Sequence, residues 1–191
     1  MKIINRCGWT GNSDIMMKYH DEEWGVPLHD DQKLFEFIVL EGFQAGLSWQ
    51  IVLNKREAFR KAFDNFDPEK VAEYDDKKYN ELINDASIIR NKSKILACIN
   101  NAKRFLEVQK EFESFDKYIW SFVNFQPIVN TFSSLDELPA KTLLSDNISA
   151  DLKKRGFKFV GSTIVYAHLQ ATGMVNDHLV SCYRYNELSN S

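Results

Sequence analysis

The chain has 191 residues, of which 44% are apolar, 13% aromatic and 27% charged; this composition can bury one sizeable core and excludes disorder as the dominant state. Four prolines and eight glycines leave little material for a linker, so a single domain over residues 1–191 is expected. A formal charge of −3 excludes a protein that coats nucleic acid by bulk positive charge, leaving only a local cationic face open.

No apolar run approaches the roughly 18 residues of a membrane span, and the start lacks the apolar stretch of a signal peptide. A cytoplasmic protein with no membrane partner is expected. Cys7, Cys98 and Cys182 are odd in number and widely spread, which suits reduced thiols or metal ligands better than a disulfide framework.

Alternating β-branched runs are nearly absent, whereas helical spacing with start and stop signals recurs throughout, so the fold is expected to be all-α. The first helix begins near Ser13 and runs towards Tyr19 and His20. After a turn at Gly25 and Pro27, Asp30 and Asp31 open a second helix. That helix is apolar around most of its circumference, which places it in the middle of the fold. Glu41 continues its stripe, because Leu34, Ile38, Glu41 and Ala45 share one face. Further helices are expected from Ser48 to about Phe63, after Asp67 and Pro68, near Lys77 to Asn84, and from Asn91 to Glu111. Residues Gln126 to Pro139 read as loop. A final pair, Ser145 to Lys154 and Ser162 to Ala171, is joined by a tight connection from Arg155 to Gly161.

Three constellations carry chemistry. His178 and Cys182, read as i and i+4 on one helical face, can converge on one ion. Cys7 and His20, near the other terminus, would complete a Cys2His2 set. Such a site is closed, so its zinc would be structural. The alternative is that the thiols are small buried hydrophobes and the histidines satisfied polar groups.

The second constellation is Trp9, Tyr19, Trp24 and Trp49, with Glu41 among them. Aromatic faces and one carboxylate describe a pocket for a flat, electron-poor ring bearing an exocyclic amine. The competing reading makes the aromatics core, as expected of Trp120, and gives Glu41 an ion pair with an Arg or Lys. The third is Lys153, Lys154, Arg155 and Lys158 around Gly156 and Gly161, where helix-start amides and cations suit a phosphate. A solvated helix end is the alternative, and the Pro-Gly usual in a helix-hairpin-helix turn is missing.

The stretches Cys7-Gly8-Trp9, Tyr19 to Pro27, Leu40-Glu41-Gly42, Gln44 to Trp49, Trp120 to Asn124 and Lys153 to Gly161 together resemble the 3-methyladenine DNA glycosylase I family of bacterial alkylation-repair enzymes. The likeness runs from Cys7 to about Tyr183. It implies a helix-hairpin-helix glycosylase fold, with the hairpin at about 145–174, and one structural zinc on Cys7, His20, His178 and Cys182. It also implies a base pocket of Trp9, Tyr19, Glu41 and Trp49, with Trp24 nearby and Glu41 as the catalytic group. Met16 stands where the family often has another aromatic. Gly46 and Leu47 match the segment that fills the gap left by an extruded base, and the basic turn would hold the DNA backbone.

The implied activity is hydrolysis of the N-glycosidic bond of 3-methyladenine in double-stranded DNA by a monomer, through base flipping, with free 3-methyladenine as product. Methylation at N3 makes the base cationic, so it departs as a neutral molecule without strong acid catalysis. Asp177 adjoins a zinc ligand and is not assigned a catalytic role, and no lysine stands out as a Schiff-base nucleophile. A zinc-stabilised module that binds alkylated DNA without cleaving it is the alternative, with a helical RNA-processing or nucleotide-binding protein a weaker third reading.

Overall fold

A computed structural model describes residues 4–189 of the chain. Among these the helices are α1 (Asp14–Glu22), α2 (Asp31–Gln44), α3 (Trp49–Ala62), α4 (Pro68–Ala72), α5 (Asp76–Asn84), α6 (Lys92–Phe112), α7 (Phe115–Ser121), α8 (Leu143–Lys154), α9 (Ser162–Ala171) and α10 (Tyr183–Ser189). Most of their starts follow side-chain capping. Asp30 accepts from the Lys33 amide, Asp67 from Glu69 and Lys70, and Thr142 and Ser145 form a reciprocal capping box.

Helix α2 is the axis of the molecule: every residue from Leu34 to Phe43 is buried. Helices α3, α6, α7 and α9 pack around it, which is why its apolar residues encircle it rather than forming one stripe. Trp120 is core, as its sequence context indicates; its indole N–H donates to the Leu28 carbonyl at 2.9 Å. A second apolar cluster gathers Cys7, Tyr19, Trp24, Phe37 and Cys182, so the N- and C-terminal segments meet beside the main core.

The architecture departs from the all-α expectation in one place. Strands β1 (Ile128–Val129) and β2 (Val175–Asn176) pair in parallel, Ile128 opposite Val175 and Val129 opposite Asn176. Two residues per strand are too few for a period-2 pattern to register, so the segment from Gln126 to Pro139 reads as loop although it supplies β1 and a 3-10 turn at Leu135–Glu137. A second correction concerns His178 and Cys182. They lie in a turn between β2 and α10, not on a helix, and the bend of that turn brings them together. Helices α7 and α10 are additional to the expected set. Among the described residues, no helix is long and apolar enough to cross a membrane.

Candidate functional site

A pocket of about 290 Å³ opens where α1, α2, α3 and α9 converge. Tyr19 comes from α1, Glu41 from α2 and Trp49 from the first position of α3, where the Ser48 hydroxyl caps the helix by accepting from the Ile51 amide. Trp9 follows Cys7 in a 3-10 turn, and Met16 lies one turn before Tyr19. The Tyr19 and Trp49 rings stand 5.4 Å apart at 54°, and Trp9 meets Trp24 edge-on at 5.0 Å. All five expected pocket residues, Trp9, Tyr19, Trp24, Glu41 and Trp49, therefore line one cavity.

Glu41 is 3% exposed and its Oε2 is buried with no hydrogen-bond partner. Desolvation pushes its carboxyl up to about 8, so burial holds it mainly protonated at neutral pH. The alternative ion pair is absent among the described residues. The arginines of the packed helix α3 are committed elsewhere: Arg56 Nε donates to Glu36 Oε1 at 2.5 Å and its Nη1 to Glu23 at 2.7 Å, while Arg60 also binds Glu36. The indole N–H groups of Trp9 and Trp49 are buried and unpartnered too. Orphaned buried polar atoms are rare because each costs about 1–3 kcal/mol, so three around one cavity point to a ligand that satisfies them. Burial first, and the Glu41 charge second, hold the Tyr19 phenol well above its ordinary range, which keeps it neutral.

Cys7, His20, His178 and Cys182 are all buried, and their ligand atoms lie within 4.8 Å of one another. Three of the sulfur–nitrogen separations are 3.6, 3.4 and 3.5 Å. A tetrahedral zinc with bonds of about 2.3 Å to sulfur and 2.0 Å to nitrogen sets such edges at about 3.5 Å, so the group fits that ion. The outer ring nitrogens are also held. His20 Nδ1 is 2.8 Å from Asp21 and His178 Nε2 is 3.0 Å from the Trp24 carbonyl, which directs Nε2 of His20 and Nδ1 of His178 inward. Asp21 is clasped by the Arg6 guanidinium; desolvation raises its carboxyl, but the hydrogen bonds from Arg6, His20 and Tyr183 together outweigh that and hold it at about 2. Gly25, at φ +81°, lies against His178: a Cβ there would sit 3.0 Å from Nε2.

Gly46 and Leu47 form the exposed connection from α2 to α3 beside the pocket, with Gly46 at φ +81° and Leu47 39% exposed. Lys94 of α6 fixes its base by donating to the Phe43 and Ala45 carbonyls at 2.8 and 2.6 Å. Helices α8 and α9 pack against each other across the expected tight turn. Lys153, Lys154 and Lys158 point to solvent there.

Arg155 does not, since its guanidinium binds Asp151 and Glu111 at 2.7 Å and lies over the Phe112 and Tyr118 rings. The amides of Gly156 and Lys158 are also spent, on the Lys153 carbonyl and the Asn101 side chain. The start of α9 offers amides for an anion, since Gly161 is an N-cap without a side-chain cap. Asp177 is fully used by Tyr166, Gln170 and Asn130, which supports leaving it without a catalytic role.

Several contributors carry no sequence signal. Leu138 and Gln170 line the pocket, and Asn101, Lys94 and Asp21 brace its surroundings, but each is an ordinary residue whose position only the tertiary fold reveals.

A family model described as methyladenine glycosylase matches residues 9–185. The chain is 51% identical over 182 residues to DNA-3-methyladenine glycosylase 1 of Escherichia coli, covering 95% of this chain and 97% of that one. It is 49% identical to the DNA-3-methyladenine glycosylase of Haemophilus influenzae, with 94% and 97% covered. A solved structure of the Staphylococcus aureus 3-methyladenine DNA glycosylase I, described as the structural basis of 3-methyladenine recognition, superposes with a TM-score of 0.92 at 34% identity and covers 95% of this chain and 97% of that one.

Proposed function

The chain belongs to the methyladenine glycosylase family and is a monofunctional DNA glycosylase that excises 3-methyladenine; from that premise we propose that it draws the damaged base out of double-stranded DNA into the aromatic pocket and releases it by hydrolysis. One observation carries the reading: a buried carboxyl without a partner, on a helical core stripe, facing a cavity walled by Tyr19 and Trp49. A cationic adenine stacked on those rings gains from their π-faces, and Glu41 accepts from its exocyclic amine. Ionised Glu41 stabilises the positive ring and the developing charge on the sugar.

Water adds to the anomeric carbon as the glycosidic bond breaks, and the proton that it gives up passes to solvent. The bonding electron pair leaves with the base, which departs neutral as 3-methyladenine, and the sugar remains in an intact strand as an abasic site. Extrusion costs a few kcal/mol and is easiest for a damaged, weakly paired base.

Zinc on Cys7, His20, His178 and Cys182 would tie the terminal segments together and so hold Trp9 and Tyr19 in the pocket wall; its contribution is structural. The α8–turn–α9 unit acts as the helix-hairpin-helix, with Lys153, Lys154 and Lys158 near the backbone of one strand and the amides from Gly161 taking a phosphate. Arg155 and Gly156 shape the turn instead of touching DNA. Leu47, projected by Gly46, fills the gap in the stack. The enzyme works as a single-domain monomer.

Titration of free 3-methyladenine against the tryptophan fluorescence of the parent and of Glu41→Ala tests the pocket. The variant is expected to bind at least tenfold more weakly, in keeping with a charge-assisted hydrogen bond of about 1.5–3 kcal/mol. Equal affinity would remove Glu41 from base recognition.

A further inference from the structure

His168 belongs to none of the groups described above. It lies on α9, is 5% exposed, and neither ring nitrogen has a hydrogen-bond partner. A histidine orphaned at both nitrogens is costly, and no nearby side chain relieves it. On the far side of Glu41 from the base pocket is a cavity of about 20 Å³, lined by both Glu41 and His168. The other lining groups, among them Ile38 of α2, Ile119 of α7, Leu152 of α8 and Val165 of α9, are apolar, so no charged group from the packed helices faces the pair.

The spacing along α9 explains the division. Ala167 and Gln170 face the base pocket, whereas Ile164, Val165 and His168 face the cavity, which leaves Glu41 in the wall between them. A cavity of this size holds one water, and a buried water needs at least two polar partners. Here there are two, each otherwise unsatisfied.

We propose that His168 is a positioning residue for Glu41, the two side chains being linked through a single water in the cavity that both line. The inference rests on Glu41 being the group that receives the base. Burial drives the imidazole down to about 4, so near neutrality it is uncharged and carries one ring N–H. That N–H donates to the water and the water donates to the carboxyl. Glu41 is thereby held from behind, free to offer its remaining acceptor to the base, and gains a donor that strengthens once the carboxyl ionises against a cationic ring.

The test pairs His168→Leu, which keeps bulk but removes both nitrogens, with His168→Gln, which restores a donor at similar reach. Affinity for free 3-methyladenine should fall about tenfold in the first and return most of the way in the second, the size expected for one net hydrogen bond. The melting temperature of His168→Leu should change little, because the water-linked N–H is lost together with the second ring nitrogen, which has no partner. Independently of either variant, ring 15N spectra of the four histidines should show the His168 nitrogens shifting when 3-methyladenine binds the parent, and no such shift in Glu41→Gln. If Glu41→Gln weakens binding while His168→Leu binds like the parent and the His168 signals ignore the ligand, His168 is filler and the inference fails alone. If Glu41→Gln itself binds like the parent, the pocket assignment fails and takes the inference with it.

Discussion

Replacing Glu41 by Gln keeps the shape of the side chain while removing its ability to ionise, and the consequence for stability follows from the pocket's dryness. Burial raises this carboxyl from 4.5 to about 8 in the folded protein. Between those values the folded chain holds a proton that the unfolded chain has released, so the parent's stability from this group is fully present below about pH 4.5 and is lost as pH rises towards 8. At about 1.4 kcal/mol per unit, the parent should lose roughly 3.5 kcal/mol between pH 5 and pH 8 relative to Glu41→Gln. For a chain of this length that is roughly 10 °C in melting temperature. Thermal unfolding of both proteins across pH 5 to 8 reads the difference directly, since groups common to both cancel. The curves should diverge as pH rises, with the variant the more stable at pH 8. Saturating 3-methyladenine should narrow the gap by stabilising the parent more. Parallel curves would mean that Glu41 is solvated or paired, and would refute the claim that burial without a partner raises its carboxyl.

The metal group predicts one tightly bound zinc per chain by elemental analysis of protein purified without chelator. Cys182→Ser should lower the melting temperature and release the metal without changing base selectivity; metal-free protein of unchanged stability would contradict this. At the hairpin, Lys154→Ala with Lys158→Ala should flatten the dependence of log affinity on log salt by about 0.9 for each phosphate that a lysine no longer neutralises. Arg155→Ala should instead destabilise the fold and leave the salt slope alone, because its guanidinium is committed to Glu111 and Asp151. A slope that responded only to Arg155 would reverse that division.

What the sequence discloses here, and what it hides, divides along range. Helix limits are legible because caps are local: Asp30, Ser48, Asp67 and Asn91 each sit within three residues of the amide they bind. Glu41 stands out in the sequence because a carboxylate on a core stripe breaks a pattern, and the fold places it unpaired at the pocket floor. The Cys2His2 group is legible as residue types only. Helical spacing suggests the right pairing of His178 and Cys182 for a wrong reason, since a turn stabilised by long-range partners brings them together.

The basic turn misleads in the opposite direction. A run of Lys153, Lys154, Arg155 and Lys158 looks uniform, yet the fold supplies Arg155 with an acid from α6 and rings from α6 and α7 that lie far away in the chain. His168 gives no signal at all: an isolated histidine in an apolar helix acquires its interest only from the cavity and the carboxyl that α2 brings to it.

The most direct test of the whole account is incubation of the purified protein with methylated double-stranded DNA, followed by chromatography of the released bases and gel analysis of the strands. Free 3-methyladenine should appear, abasic sites should accumulate in equal amount, and the strands should stay intact until treated with alkali. Tight binding of the alkylated DNA with no free base would make the protein a damage-binding module, and strand breaks accompanying base release would contradict simple hydrolysis.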